Sequence, residues 1–202
     1  EESLQKHRFR RDREELRQND ILAQLMRILQ LPEPPFRIES YDISNISGAQ
    51  SIGVCVVYKN AKESKKDYRK FHIKTVEGAN DYESMREVIY RRITRAYAEE
   101  DAIKAGTLQP DKAKFLPLPD LILLDGGKGH VSAIKLLMDT LGESIPVYGM
   151  VKDSKHRTRG LTDENEEFPI DREGNLFKFL TCMQDEVHRF AICLLYTSPS
   201  PR

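Results

Sequence analysis

Along the first 30 residues apolar side chains are sparse, with Leu16, Ile21, Leu22, Leu25, Met26 and Leu29 partly at helical spacing among many Arg, Glu and Gln. The spacing predicts an exposed amphipathic helix. It ends at Leu31-Pro32-Glu33-Pro34-Pro35, because a residue before proline is pushed out of helical geometry. Either the helix packs on the rest of the chain as a linker or it binds a partner. From residue 37 the period falls to two. Arg37 to Ile43 alternates, predicting a strand with Ile38, Ser40 and Asp42 on one face. Ser51 to Tyr58 is nearly all apolar or small, the pattern of a strand buried on both sides. Asn45 to Gln50 reads as the turn between them, and Tyr68 to Val76 as a third strand after the polar loop Asn60 to Asp67. Three strands with short links predict an antiparallel meander.

A long helix is predicted next, with Met85, Val88, Ile89, Ala96 and Tyr97 on one side, a basic flank of Arg86, Arg91, Arg92 and Arg95, and Asn80 or Asp81 as its cap. After a loop carrying Pro110, Pro117 and Pro119, Leu121 to Leu124 is unbroken apolar, as suits a central strand. Residues 128 to 141 repeat the helical pattern, and Ile145 to Val151 predicts a fifth strand. Strand, helix, strand implies a right-handed crossover between parallel strands. The expected fold is therefore α/β and ribonuclease H-like: a mixed five-stranded sheet, three antiparallel strands then β-α-β, flanked by helices. Lys152 to Gly160 reads as a loop, Glu166 to Gly174 as a small hairpin, and Phe177 to Ile192 as the last helix.

The expected organisation is an N-terminal helix and Pro-rich linker over 1–36, a ribonuclease H-like domain over 37–192, and a non-native tail over 193–202. The tail breaks the helical pattern for Ser and Pro and resembles a translated sequencing adaptor. The chain does not begin with Met and is expected to be part of a longer protein.

Charged residues make up 32% of the chain and cancel to a formal net charge of zero. That balance argues against a purely electrostatic DNA coat, yet patches rather than totals bind phosphate. Cys55, Cys182 and Cys193 are odd in number and widely spaced, which predicts neither a disulfide framework nor a zinc site and fits a reducing, cytoplasmic compartment. No apolar run approaches the length of a membrane span.

Against this background four residues stand out. Asp125 closes the buried strand Leu121 to Leu124 and opens Gly126-Gly127-Lys128-Gly129. A carboxylate at the carboxyl end of a central strand lies where α/β sheets place their sites. The glycines allow close approach of a ligand, and Lys128 adds charge; a helix cap with a glycine turn is the plainer reading. Gly-x-x-x-x-Gly-Lys-Ser/Thr is absent, so no nucleotide cofactor is expected. Asp42 alone reads as a turn former. If the first and fourth strands are neighbours, however, Asp42 and Asp125 share one sheet end, and a divalent cation would relieve their repulsion. Asp81 alone reads as a helix cap, and His188 alone as a satisfied helical histidine. Lys155, His156, Arg157 and Arg159 form a basic loop suited to phosphate contact.

Five motifs together resemble a known family. Tyr41-Asp42-Ile43-Ser44-Asn45, Thr75-Val76-Glu77-Gly78 with Asn80-Asp81-Tyr82, Leu124-Asp125-Gly126-Gly127-Lys128-Gly129, Lys155-His156-Arg157-Thr158 and Asp185-Glu186-Val187-His188-Arg189-Phe190-Ala191 are similar, in this order, to the C-terminal nuclease half of UvrC. The resemblance covers residues 37 to 192. It implies a metal-dependent endonuclease of bacterial nucleotide excision repair that cuts the damaged strand 5′ to the lesion. Asp42, Asp125 and His188 would be its catalytic triad and hold Mg2+ or Mn2+, with Asp81 an additional carboxylate. Damaged double-stranded DNA and UvrB would be partners, and Lys128, Lys155, His156, Arg157 and Arg159 would contact phosphate. UvrC-like proteins also carry a GIY-YIG nuclease, a UvrB-binding segment and a helix-hairpin-helix module, none recognisable here. A non-catalytic module that binds UvrB or DNA, or a related resolvase or ribonuclease, remains the alternative.

Overall fold

A computed structural model describes residues 2–45, 51–76, 80–153 and 158–197. Residues 46–50 of the expected turn Asn45 to Gln50, the motif residues Glu77, Gly78 and Ala79, and the basic residues Lys155, His156 and Arg157 lie outside the described residues. In chain order the elements are α1 (Glu2–Ile28), β1 (Arg37–Asn45), β2 (Ser51–Lys59), β3 (Lys62–Glu63), β4 (Arg69–His72), α2 (Asp81–Lys104), β5 (Leu121–Leu124), α3 (Lys128–Leu141), β6 (Val147–Lys152), β7 (Thr158–Thr162), β8 (Glu167–Pro169) and α4 (Asn175–Thr197).

The strands form one sheet in the order β3-β2-β1-β5-β6-β7-β8, with β4 pairing on β2. β1 is antiparallel to β2 along its whole length and parallel to β5, and β5 is parallel to β6. The expected antiparallel meander and β-α-β unit are both present. Asn60 and Ala61, both at positive φ (51° and 57°), form the two-residue turn between β2 and β3, since a turn with two left-handed residues matches the twist of paired strands.

Side-chain alternation along β1 assigns the helices to faces. Glu39 meets Arg92 of α2, while Asp42, of opposite parity, meets His188 of α4. Thus α2 packs on β1 and β2 from one side and against α3, and α4, backed by α1, covers the other. Covering both faces explains why β5 reads Leu-Ile-Leu-Leu with every side chain buried. Only the C-terminal part of α1 joins the core, through Ile21, Leu22 and Leu25; Phe9 and Leu16 are exposed.

One charged cluster is buried within this core. The Glu39 carboxylate accepts hydrogen bonds from Arg92 (2.8 and 3.1 Å), Arg37 (3.0 and 3.1 Å) and the Tyr41 hydroxyl (2.5 Å). Burial opposes its ionisation, but the Arg92 charge and hydrogen bonds outweigh that and hold the carboxyl below the usual range. Arg92 also donates to the Pro117 carbonyl at 3.0 Å, tying α2 to the loop before β5.

Several expectations need adjustment: among the described residues the sheet has eight strands rather than five, and the third strand expected over Tyr68 to Val76 is the shorter β4, Arg69–His72. Thr158 to Gly160, read as loop, belongs to β7, which extends the sheet beyond β6; its small and apolar residues Thr158, Gly160, Leu161 and Thr162 are buried there. The segment 166–174 is not a self-contained hairpin. β8 pairs with β7, and the turn at Asp171 to Gly174 leads directly into α4. α4 begins two residues before Phe177 and runs past Ile192 to Thr197.

Candidate metal centre

The site arises from strand register. Tyr41 and Leu124 are the last paired positions of β1 and β5, and the Asp125 N–H donates to the Tyr41 carbonyl at 3.1 Å. The next residue on each chain is therefore an aspartate at the same sheet end. On α4 the buried stripe is Leu176, Phe179, Leu180, Met183, Gln184, Val187 and Ala191, at helical spacing. This phase turns Gln184 and His188, one turn apart, toward the two aspartates.

His188 Nδ1 lies 3.1 Å from Asp42 Oδ2, and its Nε2 lies 2.8 Å from Asp125 Oδ2. Ligand atoms of Asp42, Asp125 and His188 all fall within 4.8 Å of one another, a group of metal-ligand type. Asp42 is buried, Asp125 is nearly so, and His188 is half-buried, so the cluster opens to solvent on the imidazole side.

Two further side chains hold Asp125. Lys152 donates to Oδ1 at 2.9 Å, and Gln184 Nε2 donates to the same oxygen at 2.9 Å. Gln184 is itself fixed, because its Oε1 accepts from the Thr158 hydroxyl at 2.5 Å. Burial works against ionisation of Asp125, yet hydrogen bonds from His188 and Lys152, with the Lys152 charge, bring its pKa to about 2. Hydrogen bonds first to Asp125 and then to Asp42 push His188 up to about 10, so the metal-free imidazole is a cation bridging two anions.

Asp81 is not in this ligand group. It is the exposed first residue of α2, and the cap is Asn80, whose side chain accepts from the Glu83 N–H at 3.2 Å. Its charge is felt at His130, where burial lowers the imidazole pKa while Asp81 and Asp125 act in the opposite direction. The His130 ring stacks on Tyr82 with centroids 4.3 Å apart and packs against Gly126, beside Asp125. Lys128 is exposed at the start of α3 and donates to the Asn165 carbonyl at 2.5 Å. Arg159, on β7, is paired with Glu167 at 2.6 Å.

Sequence reading missed Lys152 and Gln184 as members of the site. Gln184 could have been found from helical phase, since it is a polar residue inside an apolar stripe. Lys152 is the last residue of a strand parallel to β5, a weaker signal. No pattern in the sequence pointed to His130.

The donor set, two carboxylates and one imidazole, has the chemistry to hold a divalent cation. Among the described residues no helix is long and apolar enough to cross a membrane.

Comparison with known proteins follows the same lines. The family model for the UvrC RNAse H endonuclease domain matches residues 26–192. The UvrABC system protein C of Alkaliphilus oremlandii (strain OhILAs) is 50% identical over 173 residues, 86% of this chain and 28% of the relative. That of Thermoanaerobacter sp. (strain X514) is 50% identical over 180 residues, 89% of this chain and 29% of the relative. The chain thus spans less than a third of these relatives. Among solved structures, human ENDOV aligns with a TM-score of 0.45 at 10% identity, covering 91% of this chain and 98% of that one.

Proposed function

We propose that this chain, which belongs to the UvrC RNAse H endonuclease domain family, hydrolyses a DNA phosphodiester 5′ to a lesion using a divalent cation held by Asp42, Asp125 and His188. The observation that carries the reading is the convergence of their three ligand atoms within 4.8 Å at the ends of two parallel strands. Mg2+ or Mn2+, when bound, would supply Lewis-acid polarisation of the phosphate and lower the pKa of a coordinated water.

The chain's own residues provide the rest. Asp42 and Asp125 present anionic oxygens side by side from the ends of paired strands. Asp42 fixes the His188 ring through Nδ1, and Gln184 fixes one oxygen of Asp125. To ligate, His188 must give up the proton it shares with the aspartates. Asp81, on the rim, would add negative charge near His130 rather than a direct ligand. Lys128, Lys155, His156, Arg157 and Arg159 would hold phosphates without reading bases, as suits cleavage at any sequence.

Under this reading the full-length protein works in the cytoplasm with UvrB on damaged double-stranded DNA, and this chain makes one of two incisions. Residues 37–192 would be the nuclease unit, preceded by an N-terminal helix and Pro-rich linker over 1–36 and followed by a non-native tail over 193–202. The test is a lesion-bearing duplex incubated with UvrB and full-length protein. Asp125→Asn should abolish the 5′ cut and leave the 3′ cut. Persistence of the 5′ cut would refute the assignment.

A further inference from the structure

A single ammonium stands where Asp125 and the His188 imidazole converge. Lys152 Nζ is 2.9 Å from Asp125 Oδ1, 3.0 Å from Asp125 Oδ2 and 3.1 Å from His188 Nε2. A divalent cation in this group would draw its donors from the same two side chains and Asp42. Lys152 is the last residue of β6, and the pairing with β7 shifts register between Val151 and Lys152. An irregularity of that kind re-aims a side chain, and such shifts recur beside active sites. The Lys152 side chain is 29% exposed, so its head can swing toward solvent without disturbing the core.

We propose that Lys152 is the built-in cation of this site: it neutralises Asp125 until a divalent ion binds, is displaced by that ion, and then contacts an oxygen of the DNA phosphate. The proposal rests on the metal-dependent reading above. Charge supplies the argument. Asp42 and Asp125 together carry two negative charges, which a divalent ion balances, and an ammonium left against the same oxygens would be repelled by that ion. Once displaced it has a four-carbon stem, a compact charge and three donors. The group that would approach the open side of the cluster is a phosphate, which a lysine ammonium binds as a point charge. Lys152 would thus join both states of the site, first as a substitute for the metal and then as a contact to the substrate.

The test is Mn2+ titration by calorimetry into the 202-residue chain and into Lys152→Met and Asp125→Asn, with circular dichroism melts confirming that each is folded. Lys152→Met should bind Mn2+ about tenfold tighter than the parent, since a competing charge is removed. Equal or weaker binding overturns the displacement. In the unmutated chain, selectively 15N-labelled lysine offers a check that needs no variant: the Lys152 ammonium resonance should move on Mg2+ addition, and an unmoved resonance refutes displacement. For the phosphate contact, duplex binding is followed by fluorescence anisotropy across a salt series with Ca2+ in place of Mn2+. Lys152→Met should reduce the slope of log K against log salt by about one; an unchanged slope overturns the contact. If the parent and Lys152→Met both bind Mn2+ no better than Asp125→Asn does, the metal reading itself falls, and this proposal with it. If their binding depends on Asp125 but Lys152→Met is no tighter, only the role of Lys152 falls.

Discussion

The Asp125 N–H donates to the Tyr41 carbonyl at 3.1 Å, one step past the last paired residues of two parallel strands. That bond places the side chain of Asp125 beside that of Asp42, from segments far apart in sequence. Two carboxylates at one buried sheet end repel unless cations intervene, and here His188 and Lys152 do so.

Gln184 is a positioning residue. It joins Asp125 on one side to the buried Thr158 on the other, so it sets which oxygen of Asp125 faces the opening. Gln184→Ala should keep the fold but weaken Mn2+ binding or cleavage by roughly 10–100-fold, as loss of an outer partner of a ligand usually does. Calorimetry and a cleavage time course would check it, and an unchanged Mn2+ affinity together with unchanged cleavage would rule the role out.

Glu39 carries stability rather than chemistry. It neutralises Arg37 and Arg92 in the core, and Glu39→Gln would leave the buried Arg92 guanidinium without this anion and Arg37 to the more distant Asp67 at 4.0 Å. Breaking a buried pair by removing one partner costs about 3–5 kcal/mol. Urea denaturation should show a lower midpoint of that order, with Mn2+ affinity little changed in the folded fraction.

The metal-free site should shape the pH dependence of stability. Asp125 is lowered to about 2, so its contribution is present above the unfolded carboxylate value of about 3.9 and is lost as pH falls through 2. His188 is raised to about 10, so its contribution is complete below the unfolded value of about 6.5 and is lost as pH rises through 10. With EDTA present, the difference in Tm between the parent and His188→Ala should therefore be largest between about pH 4 and 6.5 and shrink toward pH 10. A difference that grows as pH rises from about 6.5 toward 10 would contradict the bridging arrangement.

Gly149 on β6 is sterically required. A Cβ there would lie 2.2 Å from the Gly126 carbonyl oxygen, backbone belonging to the turn that follows Asp125. Gly149→Ala should destabilise the chain by about 1–3 kcal/mol through overpacking, and should also weaken Mn2+ binding as the turn shifts. Thermal melts and calorimetry together would separate the two effects.

Much of the frame was legible because periodicity records burial. The unbroken run at Leu121 to Leu124 marked a strand covered on both faces, and the alternation of Arg37 to Ile43 correctly put Ile38, Ser40 and Asp42 on one side. β7 was less legible, since a strand with glycine and two threonines lacks the apolar signature of a core strand. Of the two expected caps, Asn80 accepts the capping bond, and Asp81 follows it as an acidic residue in the first turn of α2.

By itself the sequence determined the order of elements, which faces were apolar, and which acidic and imidazole residues stood at strand ends and on the last helix. Those are local properties, written in spacing and side-chain type. Tertiary structure alone decided that β1 and β5 pair in a register bringing Asp42 level with Asp125, that α4 presents Gln184 and His188 together, and that Lys152 reaches the same point. Register and helix rotation are set by packing across the whole sheet, and a cluster of charges becomes a site only when that packing brings its members within a few ångströms.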